Sequence, residues 1–277
     1  MSTMTQSLAT ISGTKRRNQR RMTGSAIAYS SVGLLGFLAI WWIGSTFVGD
    51  SALASPIEVI ARLGQLMVEP LAGQTLPGHA LASLHKWAGG FCLAVLIGLP
   101  LGCAFGWFPS FRSALLPIFE VLRYIPPFAW IPLTILWFGA GYTAQAAVVF
   151  IAVLPPVLMN AELGIRQLDP LLYRASRVLG ASRSRTLLET AIPSSSPSAV
   201  TGLRIGIGNG WMALMGAELI VGRSGLGYVI LSGQQSNDAA TVMAGMVAIG
   251  LLGFAMDRAM QLITSPLTRW RKGLEEL

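Results

Sequence analysis

From residue 25 to residue 263 the sequence returns repeatedly to apolar runs close to the roughly 20 residues that a helix needs to cross a bilayer. Nothing else about the chain constrains its fold as strongly. In hydrocarbon every backbone N–H and C=O must find a partner within the protein, so open strands are ruled out and helices remain. The runs fall at residues 25–47, 81–105, 115–137, 144–159, 199–221 and 241–263. They predict an all-α, polytopic membrane protein with six transmembrane helices. Of the 277 residues, 53% are hydrophobic and 12% charged. That is about half the charged share of an ordinary soluble domain.

The charge distribution orients these spans. The chain carries 20 Lys and Arg against 12 Asp and Glu, a net +8. In a soluble protein such an excess would suggest nucleic acid. Here the basic residues fall between the apolar runs, as the positive-inside rule demands, and no nucleic-acid partner is implied. All but Arg62, Lys86 and Arg223 lie in the N-terminal tail, beside residues 112 and 123, within 166–204, or beyond residue 257. Six spans with both termini in the cytoplasm satisfy that bias. The expected organisation is a basic cytoplasmic tail at 1–24, one membrane domain at 25–264, and a cytoplasmic tail at 265–277. The first apolar run is longer than a signal-peptide core and lacks a cleavage site, so it reads as a retained span.

Two segments depart from simple spans. Residues 56–70 place Ile57, Ile60, Leu63, Leu66 and Met67 at helical spacing behind a proline, as an amphipathic helix on the outer membrane surface does. The 115–137 run holds Pro117, Pro126, Pro127 and Pro132. Each proline removes a donor and bends a helix. An ordinary kinked span and a kink lining a pathway both fit.

The cytoplasmic segment 160–198 contains the basic stretch 169–193. Asp169 is placed as an N-cap, Pro170 at the first helical position, and Gly180 where a helix ends. A second helix restarts at Ser182 and stops before Pro193. Leu171, Leu172, Ala175 and Val178 form one apolar strip, and Leu187, Leu188 and Ala191 another. Apolar faces are more than a topology signal needs, and they suggest a docking surface for a cytoplasmic partner.

This stretch resembles the cytoplasmic loop of binding-protein-dependent ABC importer permeases, whose motif reads Glu-Ala-Ala, three residues, Gly, nine residues, Ile-x-Leu-Pro. Arg174, Ala175 and Ser176 stand where the triplet belongs. Gly180 matches the glycine and is followed by Ala181; Ile192 takes the leucine position and Pro193 is the final proline. The stretches "RYIPPFAWIPLTILWFGAG", "GLRIGIGNGWMALMGAELI" and "SGLGYVI" are similar to the nitrate, sulfonate, taurine and bicarbonate permease subfamily. The likeness covers about residues 25 to 270. It implies a type I ABC importer permease fold, working as a permease homodimer with two cytoplasmic ABC ATPase subunits and an extracytoplasmic substrate-binding protein, in the inner membrane amid lipid. It implies ATPase coupling through 169–193, with Arg174, Ala175, Ser176, Gly180, Ala181, Ile192 and Pro193 at the contact. The chain itself would need no cofactor. ATP and Mg would bind the partner, and the sequence carries no G-x-x-x-x-G-K-[ST] phosphate loop. Arg174 departs from the motif glutamate by a charge reversal. An acidic neighbour is expected for it, either in the partner or at Glu162.

Tyr124, Pro126, Pro127 and Trp130 in the third run, and Asn209, Trp211 and Glu218 in the fifth, are candidates for the translocation pathway. An ionisable group such as Glu218 inside a span must face protein or water. A structural hydrogen-bonding role near the outer end competes with a place in the pathway or its gate. Asn209 and Trp211 fit ordinary packing as well as a lining role. Arg123 and Arg204 are expected at the interface. His79 and His85 lack a third ligand, so no metal site is expected. Cys92 and Cys103 read as small apolar residues. Ser194 to Ser198 read as a polar hinge or cap, and no catalytic constellation is present. A secondary transporter or channel needing no ATPase is the alternative function. The identity of the substrate stays open among small anions such as an aliphatic sulfonate, taurine, nitrate or bicarbonate.

Overall fold

The computed structural model describes residues 29–47, 49 and 52–272, with side chains to residue 266. The predicted tail at 1–24, the start of the first apolar run and residues 273–277 lie outside them. The elements described are helical, apart from one isolated antiparallel bridge between Leu71 and Gln74. The chain forms two compact units, Met1–Ala61 and Arg62–Leu277.

In the first unit, α1 runs Tyr29–Phe47, and Trp41 Nε1 donates to Ala54 O at 3.1 Å. Helix α2, Pro56–Val68, starts in this unit. Its entry is a reciprocal capping box. Ser55 N donates to Glu58 Oε2 at 2.8 Å and Glu58 N to Ser55 Oγ at 3.3 Å, so two donors without helical partners are satisfied at once. The amphipathic pattern over 56–70 is thus a true helix.

The second unit is built on three long helices, α3 (Leu76–Trp107), α6 (Tyr142–Arg166) and α9 (Ile192–Val221). Small residues let them approach closely, as membrane helices do in the absence of a hydrophobic drive between them. A Cβ at Gly90 would run into Ala146 O, and one at Gly102 into Leu158 O, so the α3–α6 contact tolerates no side chain there. Val149, Val153 and Val157 of α6 are fully buried in this layer. Helices α10 (Leu226–Gln235) and α11 (Ala239–Lys272) follow. Trp211 on α9 donates from Nε1 to Ile249 O on α11 at 3.2 Å, and Arg204 reaches Asp257 at 3.1 Å.

Several boundaries differ from the apolar runs. Helix α3 begins at Leu76 rather than 81, because Pro77, Gly78 and His79 interrupt the apolar run that hydropathy follows. Helix α6 continues past 159 to Arg166, where Asn160 Nδ2 donates to Pro156 O at 2.8 Å and Glu162 is buried with partners. The third run is not a kinked helix but a broken one. Helix α4, Pro109–Arg123, ends before a single 3₁₀ turn at Pro127–Trp130, and α5, Ile131–Phe138, leaves at 91° to it. The cause is local. Ile125 and Pro126 each precede a proline, which pushes both out of the α region, and Pro126 is extended at φ −56°, ψ 139°.

Among the described residues, α1, α3, α6 and α11 are each long and apolar enough to cross a membrane. Two bent pairs meet the same test, α4 with α5 and Arg183–Val221 with α10, the latter bent by 42°. The protein is therefore an all-α membrane protein with four to six spans.

Candidate functional site

The basic insert folds as two short helices around Gly180. Helix α7, Pro170–Val178, starts with Asp169 Oδ1 accepting from Leu171 N at 2.7 Å and with Pro170 in its first turn. It ends in a Schellman motif. Ala181 N donates to Ser176 O at 3.0 Å and Gly180 N to Arg177 O at 3.1 Å, with Gly180 at φ +82°, a region that L side chains rarely adopt. Ser182 Oγ then caps α8, Arg183–Thr186, by accepting from Arg185 N at 3.2 Å.

The second helix does not stop before Pro193. Leu187–Ala191 form one wide turn in which Ile192 N reaches back five residues to Leu187 O, and the chain continues into α9. A proline in an α-helix collides with the carbonyl four residues back. The widened turn takes up the extra residue just before Pro193. Ser194 to Ser198 are accordingly helical and not a hinge. Ser194 and Ser195 return their hydroxyls to the carbonyls of Thr190 and Ile192.

The insert is held against the junction of α3 and α4. Trp107 stands edge-on to Tyr173 at 6.3 Å, and the Arg183 guanidinium lies 6.0 Å from the Trp107 ring centre and 5.9 Å from that of Phe108. Ser176 Oγ meets Thr186 Oγ1 at 3.2 Å across the two short helices. Glu162, 3% exposed, accepts from Arg112 Nε at 2.7 Å and Arg166 Nη1 at 3.3 Å, tying α4 to α6 at the same end. Glu162 is thus not the acid that faces Arg174. Arg174, Ala175, Gly180, Ile192 and Pro193 are exposed and Ala181 half-buried, so these motif positions form a surface. No residue of α7 is buried, and Leu171 and Val178 are 71% and 87% exposed.

At the opposite end of α9 lies a second cluster. Glu218 has no exposed surface. Its carboxylate accepts from Ser83 Oγ at 2.9 Å, Lys86 Nζ at 3.0 Å and Gly227 N at 2.9 Å. Lys86 Nζ also donates to Ser224 O at 2.6 Å, and Leu226 N to Ser83 Oγ at 2.8 Å. His79 Nδ1 accepts from Gly225 N at 3.1 Å, which leaves Nε2–H as the donor to Leu71 O at 3.0 Å and defines a neutral tautomer. Gly225 stands at φ +116°, and a Cβ there would occupy the Glu218 carboxylate. From the sequence His79 is weighed only as a metal ligand, Lys86 only as an outer-side charge, and Ser83 not at all. Their spacing of four and then three residues puts them on one helix face, and that was the available signal.

The remaining pathway candidates separate into two groups. Pro127, Trp130 and Asn209 line one cavity of about 290 Å³, together with Arg123, Phe150 and Pro155. Trp130 also lines a neighbouring cavity of about 610 Å³ with Thr134, Trp137 and Phe138. Tyr124, 76% exposed, and Pro126 lie beside the break between α4 and α5. Trp211 is buried between α9 and α11, and Glu218 belongs to the cluster above, so neither joins Asn209.

Residues 94–268 match the model of the family described as binding-protein-dependent transport system inner membrane component. The taurine transport system permease protein TauC of Escherichia coli is 34% identical over 244 residues, spanning 87% of this chain and 89% of that protein. The bicarbonate transport system permease protein CmpB of Synechococcus elongatus is 32% identical over 271 residues, 92% of this chain and 96% of its own. The nitrate import permease protein NrtB of a Synechocystis species is 32% identical over 240 residues, 85% and 87% of the two chains. The chain belongs to the family of binding-protein-dependent transport system inner membrane components. It is a polytopic, non-catalytic inner-membrane subunit, the permease of an ABC importer that works with an ATPase partner and a substrate-binding protein.

Proposed function

We propose that this chain forms the pathway of an importer for a small anion and receives its driving force through residues 169–193. The observation that carries the reading is α7. Both its ends are pinned by caps, it has no buried residue, and it displays Leu171 and Val178 to solvent. An isolated helix of this length is marginal in water, so its order comes from those caps and from the Trp107–Tyr173–Arg183 corner. A rigid apolar face on an otherwise polar insert suits a groove in a cytoplasmic ATPase, with Arg174, Ala175, Ser176, Gly180, Ala181, Ile192 and Pro193 at or beside the contact.

The topology that goes with this function has six spans, each bent pair counting as one, and both termini in the cytoplasm. One domain spans 25–264, with the insert at 160–198, an outer surface helix at 56–70 and cytoplasmic tails at 1–24 and 265–277. Two permease copies would enclose the pathway, two ATPase subunits would dock on the inserts, and a binding protein would dock outside. The taurine, bicarbonate and nitrate permeases it is similar to carry small anions in their names, and the substrate proposed here is of that class. Pro127, Trp130 and Asn209, which share a cavity, are the proposed lining residues, with Tyr124 and Pro126 at its break. Glu218 and Trp211 are proposed to brace the pathway helix rather than touch the anion. Their burial and their bonds to α3, α10 and α11 support that assignment.

The test is the reconstituted complex in vesicles, with taurine, an alkanesulfonate, nitrate and bicarbonate offered through the binding protein. ATP-dependent uptake of one of them is expected. Replacing Leu171 and Val178 together by serine is expected to release the ATPase subunit and abolish uptake. Uptake that persists without any ATPase subunit would instead establish a secondary transporter or channel.

A further inference from the structure

The four arginines of residues 169–193 are not equivalent. Arg177 Nη1 donates to Ala181 O at 2.6 Å and closes the turn at Gly180. Arg183 lies over Trp107 and Phe108. Arg185 Nε pairs with Glu189 Oε2 at 2.8 Å. Arg174 alone among them is exposed with no hydrogen bond, ion pair or ring contact among the described residues. The acids nearest along the chain are taken. Asp169 caps α7, and Glu162 holds Arg112 and Arg166.

Its place on the helix gives that isolation a meaning. Leu171, Arg174, Ala175 and Val178 follow the i, i+3, i+4, i+7 spacing and share one face of α7. Arg174 stands at the flank of the exposed apolar strip, beside Leu171 and Val178. A partner that covers Leu171 and Val178 also takes part of the water from the guanidinium. An unpaired charge buried in this way opposes association strongly, and the opposition disappears only if the partner supplies an acceptor of opposite charge. A guanidinium, with its planar fork of donors, is best matched by a carboxylate.

We propose that Arg174 selects the ATPase: the groove that receives α7 presents an Asp or Glu carboxylate to it, beside the apolar side chains that meet Leu171 and Val178. A groove carrying a cation at that point is refused. This rests on the reading of the insert as the ATPase dock, and the experiment is arranged so that the two can fail separately.

The full-length permease in lipid nanodiscs is titrated with its own ATPase subunit. Arg174→Lys is expected to bind close to the wild type, Arg174→Gln about tenfold more weakly, and Arg174→Glu on the order of 100-fold more weakly, as like charges meet. Because Arg174 is exposed and has no partner among the described residues, these variants should elute and melt as the wild type does. A selection for restored uptake in Arg174→Glu cells is expected to return an acid-to-Lys or acid-to-Arg replacement in the ATPase subunit. The double replacement of Leu171 and Val178 by serine reports on the dock itself without adding charge. If it loses the ATPase while Arg174→Glu binds normally, the charge proposal falls and the dock stands. Normal binding by both overturns the dock as well. Weak binding by Arg174→Glu that no acid-to-base change in the ATPase relieves also overturns the proposal.

Discussion

Replacing Lys86 by methionine isolates the energetics of the buried cluster at the end of α9. The side chains are similar in length, so the change removes charge and donors with little change in volume. Lys86 is 7% exposed and Glu218 not at all, and their ion pair is 3.0 Å long. Without Lys86, Glu218 keeps Ser83 Oγ and Gly227 N but loses the one cation it pairs with among the described residues, and Ser224 O loses a 2.6 Å donor. Removing one partner of a buried pair costs about 3–5 kcal/mol, because the other charge remains desolvated. At about 2–4 °C per kcal/mol for a chain of this size, the tertiary melting midpoint in detergent should fall by about 6–20 °C. Adding Glu218→Leu removes the stranded carboxylate and should recover a large part of the loss, since an apolar replacement of a whole buried pair is often neutral or better. The assay is intrinsic tryptophan fluorescence during a thermal ramp, run on both single variants and the double. A Lys86→Met midpoint within 2 °C of wild type, or a double variant with additive losses, would refute the reasoning that Glu218 is held as an ion pair.

Gly225→Ala should destabilise the same end of the protein, because its Cβ meets the Glu218 carboxylate at a left-handed φ; the same thermal ramp should show a lower midpoint. Gly180→Val places a β-branched residue at φ +82° at a cost of about 1–2 kcal/mol, and should lower binding-protein-stimulated ATP hydrolysis while leaving the core melting midpoint in place. At Asp238, burial pushes the carboxyl up, but the Thr241 hydroxyl and amide and the Arg62 charge outweigh it and hold it below its usual value. Its stabilising contribution is therefore complete above the unfolded value of about 3.9 and is lost as the pH falls through the lower folded value. Asp238→Asn should be less stable than wild type at neutral pH, and the two midpoints should converge below about pH 4.

The helical class and the insert were legible from residues alone, because both rest on short-range rules. Apolar runs demand helices, and the Asp169–Pro170 start and Gly180 stop are local chemistry that the structure reproduces bond for bond. Pro193 misled for the same reason. As a local signal it ends a helix, yet a wide turn at Leu187–Ala191 carries the chain past it. The 91° break was only half visible, since prolines announce a bend but not its size. Asn209, Pro127 and Trp130 line one cavity, whereas Trp211, two residues beyond Asn209, faces the other side of α9 and packs on α11. Glu218 demanded a buried partner, but its side-chain partners Ser83 and Lys86 lie more than 130 residues away on α3, and no local rule joins them.

The wide turn at Leu187–Ala191 also joins the insert to the membrane domain. Arg183–Val221 is continuous through it, about 58 Å long at 1.5 Å per residue, with the insert's second short helix as its end. Its joints lie beyond each extremity, at Gly180 and at the Gly222–Gly225 corner, where Glu218 and Lys86 act as a latch. If the proposed coupling holds, a push delivered near residue 183 acts on the end of the helix that carries Asn209.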